Sequence, residues 1–436
     1  MIKHRIHSFG RREDGAMTAF GLFMFIAMVA IGGLALDVAN AMMARTQLQV
    51  AADAIAHAAL YSRETNDAED AKHAALSLAE VNMPSSKYGT VLTANEIKFG
   101  YWHDDTNQFE VDDAAFDSVF VDVSRMQASA NPVGTFFLRF VGINQWDVRR
   151  GSVFETYIPT CFREGFVAED IVDIQSNNSY INGFCIHSNT HVEVNSNNYF
   201  ENGTIVSMPD KRDIILPNSG LQTNDGLGDS LRDGAYQIRI LNRLADIIDS
   251  LEDGEDTYRP DYIKFTTPVA LASRNNLDET DLQPGYIYTF NGCSGNQKLS
   301  IKGGVTIEDV VLITNCKIQY GAGVVLENSL IATRNTGASS QTGASSVRVG
   351  RDDNCATDGG SQLLTLGGMS FPADLQVFGS QLIAMDDIDF AANANGIEGA
   401  SFIAGGTIDG TSNMTMGFCG NGMERNLSAE YFRLVN

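Results

Sequence analysis

The sequence predicts a membrane-anchored α+β plus all-β protein. It comprises an N-terminal transmembrane helix, a small α+β domain and a C-terminal parallel, right-handed β-helix or solenoid. Three observations predict this. Residues 16–36 form an apolar run without a charge. Helix-like and strand-like patterns alternate between residues 63 and 158. From residue 159 onward, short β-branched runs recur about every 20 residues, split by Asn and Gly.

The apolar run is Ala16 to Leu36, 21 residues whose one polar side chain is Thr18. At about 1.5 Å per residue such a helix spans about 31 Å, the thickness of a bilayer's hydrocarbon core. Residues 1–15 before it carry Lys3, Arg5, Arg11 and Arg12. Beyond it the first charge is Asp37 and the first basic residue is Arg45. Basic flanks stay on the cytoplasmic side. The expectation is therefore a single pass through a bacterial inner membrane, with the N-terminus cytoplasmic and the bulk periplasmic. A cleaved signal peptide is the rival, because Ala39-Asn40-Ala41 offers a small-x-small site. The run exceeds the roughly 7–15 residues of a signal core, which favours a retained anchor.

Thirty basic against 54 acidic residues give a net charge of −24. Such a surface repels nucleic acid, so nucleic-acid partners are excluded. Pro is scarce, at 9 residues, and Gly is abundant, at 41, as in a globular chain with many turns. The six cysteines all follow the span. An even number in an oxidising compartment suggests disulfides, and six cysteines allow about 15 pairings. Sequence neighbours favour Cys161–Cys185 and Cys293–Cys316, which leaves Cys355–Cys419. No Cys-x-x-Cys occurs, which argues against thiol redox chemistry and a four-Cys zinc site.

The anchor helix should continue through residues 37–62, where Ala is dense and Gly and Pro are absent. Asp53 and His57 lie one turn apart there. The cluster Ala51, Ala52, Ala54, Ala56, Ala58 and Ala59 permits close helix approach. It fits equally a partner subunit or the chain's own next helix, Asp67 to Val81, which Pro84 stops. Residues 63–158 then read as the α+β domain. Strands are predicted at Glu96–Trp102, Gln108–Val111, Val119–Val123 and Val148–Tyr157. Phe136 to Phe140 reads as a short helical or buried segment ended by Gly142.

The basic tail, Asp14-Gly15, the apolar span, Leu36-Asp37, Arg45, Leu48-Gln49 and Ala51-Ala52-Asp53-Ala54 together resemble the N-terminal segment of the TadE/TadG-like proteins of the Flp (tight adherence, Tad) pilus system. Val119-Phe-Val-Asp-Val and Phe136-Phe-Leu-Arg-Phe-Val-Gly142 resemble the region that follows in TadG-like members. The resemblance implies an inner-membrane protein of pilus assembly. Its implied partners are other Tad pilus assembly subunits and minor pilin-like proteins. The sequence departs from the family in two places. Class III prepilins are cleaved after a Gly followed five residues later by Glu, but here Gly15 is followed at that position by Phe20. Some members carry a von Willebrand A domain with Asp-x-Ser-x-Ser, but Asp122-Val-Ser124-Arg-Met126 lacks the second Ser, so no metal is expected there.

Residues 159–436 carry the repeat. Val172-Asp-Ile-Gln-Ser-Asn-Asn-Ser-Tyr-Ile-Asn-Gly183 aligns with Val192-Glu-Val-Asn-Ser-Asn-Asn-Tyr-Phe-Glu-Asn-Gly203. Identical positions in stacked coils superpose, and Asn can then form hydrogen-bonded ladders in the turns. Leu330-Ile-Ala, Leu382-Ile-Ala and Phe402-Ile-Ala repeat one pattern, with Asp389 and Asp409 in register. The repeat breaks near residues 229–253, where Ile238, Leu241, Leu244, Ala245 and Ile248 share a helical face and suggest an inserted helix.

Two function classes follow. The leading one is a non-enzymatic inner-membrane subunit of the Tad/Flp pilus assembly machinery. It contacts the bilayer through residues 16–36, and its β-helix offers an acidic interaction surface to an outer-membrane secretin, cell-wall glycan or the pilus. The alternative is a membrane-tethered glycan-binding or glycan-cleaving β-helix. Hydrolysis needs convergent carboxylates, which Asp386, Asp387, Asp389 and Asp409 could supply. Stacked carboxylates also suit Ca²⁺. Against both stands the frequency of Asp and Asn in turns, where they cap their own backbone. His187 and His191 have i, i+4 spacing but lie among strands and turns, where that spacing gives no shared face. No nucleophile elbow or phosphate-binding loop is present. No catalytic residue, metal or cofactor is therefore assigned.

Overall fold

The computed structural model describes residues 14–294, 296–410 and 412–435. The basic residues Lys3, Arg5, Arg11 and Arg12 lie outside them. The chain forms two compact units. The first runs to Tyr157 and takes up the chain again from Glu430; the second is Ile158–Ala429. The sequence reading carried the C-terminal region through to residue 436, whereas the last residues pair within the first unit.

Helix α1, Asp14–Arg63, is one uninterrupted helix of 50 residues, about 75 Å long. Its two halves differ. Met17, Phe20, Phe23, Ile26 and Ile31 are exposed, on a stretch long and apolar enough to cross a membrane. From Ala44 a stripe of Leu48, Ala51, Ala52, Ile55, Ala56, Ala59 and Leu60 is buried. The i, i+3, i+4, i+7 spacing puts these side chains on one face. That face packs on Ala71, Ala75 and Ala79 of helix α2, Ala68–Asn82, and on Ile97, Phe99, Val119, Val121 and Val123. The alanine cluster thus serves the chain's own core. Asp67 caps α2 by accepting from the Asp70 amide at 2.9 Å.

Strands β1 (Ile97–His103), β2 (Gln108–Val111), β3 (Ser118–Arg125) and β6 (Val148–Tyr157) form an antiparallel sheet in the order β2–β1–β3–β6. The strand Tyr431–Leu434 completes it against β6, with Tyr431 opposite Tyr157 and Leu434 opposite Phe154. Two short strands, β4 (Val133–Gly134) and β5 (Gln145–Trp146), make a separate hairpin between β3 and β6.

The second unit is built on one large, mostly parallel sheet. The aligned repeats lie in register at a spacing of 20 residues: Gly165 with Cys185, Val172 with Val192, and Ser179 with Tyr199. Each repeat contributes three short strands, and each strand bonds to its counterpart in the next. Stacking does not follow chain order throughout. Ser401 pairs with Gly165, Ile408 with Val172 and Met416 with Tyr180. The last repeat therefore lies on the first, which is sandwiched between it and the 185–200 repeat.

Two runs meet at that join. One goes from 165 to 233 and the other returns from 265 to 417. Their apolar positions form one column: Tyr288, Leu312, Ile331, Leu363, Leu382, Phe402, Phe166, Ile186 and Val206. All nine are buried. The chain passes from one end of the stack to the other through helix α3, Arg239–Asp253. The inserted helix is therefore the return connection. Its apolar face buries Ile240, Leu241, Leu244, Ile247, Ile248 and Leu251. Arg334 fixes it from the stack, reaching Asp249 and Glu252 at 2.6 Å each.

The turns explain the Ser-Asn-Asn repeat. Asn177 and Asn197 hold φ of 62° and 64°, a region Asn tolerates. Asn178 and Asn198 point inward and are buried. The Asn198 side chain accepts from the Asn178 amide at 2.8 Å, and Asn224 from the Asn198 amide at 3.0 Å. Asn178 in turn accepts from the Met414 amide at 3.0 Å, which carries the ladder across the join.

Candidate functional site

Two constellations stand out, one in each unit. The first centres on Asp37, the one acid of α1 between Asp14 and Asp53. It is 1% exposed. One carboxylate oxygen accepts from the Phe136 amide at 2.6 Å; the other accepts from Phe137 at 2.9 Å and Leu138 at 2.6 Å. Burial pushes this carboxyl up, but the three amides and the nearby Arg139 outweigh it and hold the group below the usual carboxylate range.

Asp37 thereby grips the tip of the β4–β5 hairpin. The Asn40 amide donates to the Gly134 carbonyl at 3.0 Å, and the Thr135 hydroxyl to the Ile143 carbonyl at 2.6 Å. Gly33 gives Phe137 room to seat on the helix, since a Cβ there would lie 2.6 Å from the ring. The expected helical or buried segment is a 3₁₀ turn, Leu138–Val141, and it is not buried. Phe136, Phe137, Phe140 and Val141 are all exposed.

The second constellation is a row of carboxylates. Asp389 pairs with Asp409, Asp409 with Asp173, and Asp173 with Glu193. Adjacent strands lie about 4.8 Å apart, so four acidic positions follow one line across four repeats. Asp389 and Asp409 border a cleft of about 430 Å³ with Gln175, Ser370 and Phe390. Gln175 donates to Asp409 at 3.1 Å. Burial first, then the charges of Asp409 and Glu193, push Asp173 up; burial first, then Asp387, Asp409 and Asp386, push Asp389 up. The sequence reading paired Asp389 with Asp409 but missed Asp173 and Glu193. Their signal was present at matched positions of the aligned repeats, Val172-Asp173 and Val192-Glu193. Asp387 belongs to a turn, where it accepts from the Thr407 amide at 2.7 Å. The carboxylates thus form a line, with Asp389 and Asp409 as neighbours on it at the cleft.

The remaining candidates have separate partners. His187 is buried, 2.8 Å from the Ser207 hydroxyl and 3.0 Å from Asn189, and burial pushes its imidazole down. His191 lies 3.1 Å from Glu193. The two histidines do not converge. Asp122 is held by Arg149 from the paired strand β6, with Nε 2.7 Å from one carboxylate oxygen. Asp53 accepts from Gln49 at 2.9 Å, whereas His57 faces the Phe154 and Phe432 rings.

The cysteines are joined as Cys161–Cys185, Cys293–Cys316 and Cys355–Cys419, with Cα separations of 4.8, 5.1 and 6.0 Å. Glu398 lies beside the last pair, but bonded sulfurs offer no thiolate to a metal. Glu164, which the sequence reading did not single out, accepts from the Cys419 and Gly420 amides at 2.5 Å each.

Two family models match the chain. The TadE/G-like Flp pilus-assembly model (Tad) matches residues 15–73, which covers all but the first residue of α1 and the start of α2. A model described as a domain of unknown function (DUF7867) matches residues 165–420, the body of the parallel stack. No curated protein and no solved structure matches.

Proposed function

We propose, for a chain that belongs to the DUF7867 family and opens with a TadE/G-like Flp pilus-assembly domain, a non-enzymatic role as an inner-membrane subunit of the pilus assembly machinery. In this reading α1 crosses the membrane once, with the N-terminus cytoplasmic and both compact units periplasmic. The parallel stack is a right-handed β-helix that presents its acidic flank to a partner. The observation that carries the reading is the division of α1. Its first half is apolar and exposed, and its second half is built into the core of the first unit. Three disulfides suit an exported unit.

Because the alanine face is used internally, partner subunits would meet the exposed apolar positions of the span and its extension, including Met42, Met43 and Val50. A photo-crosslinker at Met42 in the native membrane should capture other Flp pilus-assembly subunits. Recovery of lipid and no such subunit would count against the role.

One observation favours a second reading, a tethered glycan-binding or glycan-cleaving β-helix: the acidic row borders a cleft of about 430 Å³. The double substitution Asp389→Asn with Asp409→Asn separates the two. Pilus assembly survives it under the first reading, and glycan binding or cleavage is lost under the second.

A further inference from the structure

The β4–β5 hairpin ends in a segment that a water-facing surface does not explain. Phe136 is 59% exposed, Phe140 76% and Val141 73%. Between Val133 and Trp146 the sole charge is Arg139. The tip lies along α1 on the N-terminal side of Asp37. Phe137, Phe140 and Val141 line one recess of about 430 Å³ with Phe25, Ile26 and Val29. Phe25 precedes Asp37 by three turns and more of helix, roughly 18 Å along the axis. A helix that crosses a core of about 30 Å therefore carries this tip well below the headgroups.

We propose that residues 136–143 are a second membrane-inserted element, a wedge seated among the acyl chains of the leaflet at the C-terminal end of the span. The proposal rests on the reading of α1 as a membrane anchor. The occupant of the recess is lipid acyl chain, because its wall is continuous with the exposed face of the span and, among the described residues, holds no polar side chain.

Irregular backbone in hydrocarbon must have its polar groups satisfied internally. The tip does so for at least six of the eight amides of residues 136–143. Asp37 takes the amides of residues 136, 137 and 138. Thr135 donates to Asn144, Phe140 to Phe137, Gly142 to Arg139 and Ile143 to Leu138, all through backbone groups. A carboxylate at this point of the helix is costly in an apolar setting, and the three amides are what it stabilises. The long stem of Arg139 allows its guanidinium to reach the phosphates while the backbone sits lower.

The test uses the full chain in phosphatidylcholine vesicles whose acyl chains are brominated. Trp102 and Trp146 are replaced by Phe, and single tryptophans report at Phe140→Trp, Val141→Trp and, on the span, Phe23→Trp. All three should be quenched several-fold more by brominated lipid than by aqueous iodide. Quenching at position 23, with positions 140 and 141 open to iodide, overturns the wedge and leaves the anchor standing. Quenching at 23, with 140 and 141 shielded from both agents, also overturns it and assigns the patch to a second protein surface. Loss of lipid quenching at all three removes the anchor and the wedge together. With Asp37→Ala, the tip probes should lose lipid quenching while the position 23 probe keeps it.

Discussion

Phe402 lies in register against Phe166, with ring centroids 5.2 Å apart, so the last repeat of the second unit is stacked on its first. The contact joins the two runs of the stack into one apolar column. Truncation at either ring opens a cavity at the join. Phe166→Ala and Phe402→Ala should each cost about 3–5 kcal/mol in urea denaturation. Hydrogen exchange should show residues 165–208 and 369–404 losing protection together. Loss of protection in one segment alone would mean that the join is not part of the cooperative unit.

The asparagine ladder gives a second expectation. Asn178 accepts from one repeat and its own amide donates to the next. Asn178→Ala leaves a buried amide without its acceptor, a loss of roughly 1–3 kcal/mol. Asn177→Gly preserves the left-handed turn and should cost far less. Equal denaturation midpoints for the two variants would contradict this account.

The acidic row makes stability depend on pH. Burial and the neighbouring Asp409 and Glu193 raise Asp173 in the folded chain. The folded chain thus binds this proton more tightly than the unfolded chain does. The resulting penalty is absent below the ordinary carboxylate range, grows as pH rises through it and is complete at neutral pH. Asp173→Asn should gain roughly 0.2–1 kcal/mol at pH 7, allowing for solvent screening, and almost nothing at pH 3.5. Melting curves at both pH values measure the difference, and a gain confined to pH 3.5 would reverse the argument.

Gly33 is the test of the seat beneath Phe137. A valine there drives Cβ into the ring. Gly33→Val should unseat the hairpin tip without breaking α1. The readout is trypsin cleavage at Arg139 in vesicles, faster in the variant, with helical content by circular dichroism unchanged. Identical cleavage rates would show that the tip does not depend on this contact.

The disulfides should contribute unequally. Cys355–Cys419 spans 64 residues and Cys161–Cys185 spans 24. Chain-entropy arguments give about 4 and about 3 kcal/mol respectively. Paired Cys→Ala variants, compared by denaturant midpoint, should therefore rank the 355–419 pair as the more destabilising.

Much of the architecture was legible in local pattern. The 50-residue helix followed from a charge-free run leading into Ala-rich sequence, and the strand at Gln108–Val111 from alternation between turn residues. The asparagine ladder followed from two aligned repeats. The join of 401–417 to 165–181 was missed, although Phe166-Val-Ala168 carries the same pattern as Phe402-Ile-Ala404. Reading repeats as consecutive hid it, because periodicity gives spacing and not the order of stacking. The strand Tyr431–Leu434 is too short for alternation to mark it. Asp37 looked like the first charge past a membrane span. Its three partners lie about a hundred positions away, and backbone amides leave no trace in sequence.

The pairing of Tyr431–Leu434 with β6 bears on how the molecule can be made. A chain that emerges N-terminus first presents β6 long before its neighbour exists. Residues 165–181 likewise wait for 401–417 before their outer face is covered. Both unfinished edges stay open through the passage of the intervening residues, and late-emerging segments close each of them. A chain stalled partway through synthesis would therefore display two bare strand edges, the kind of surface that chaperones and proteases recognise.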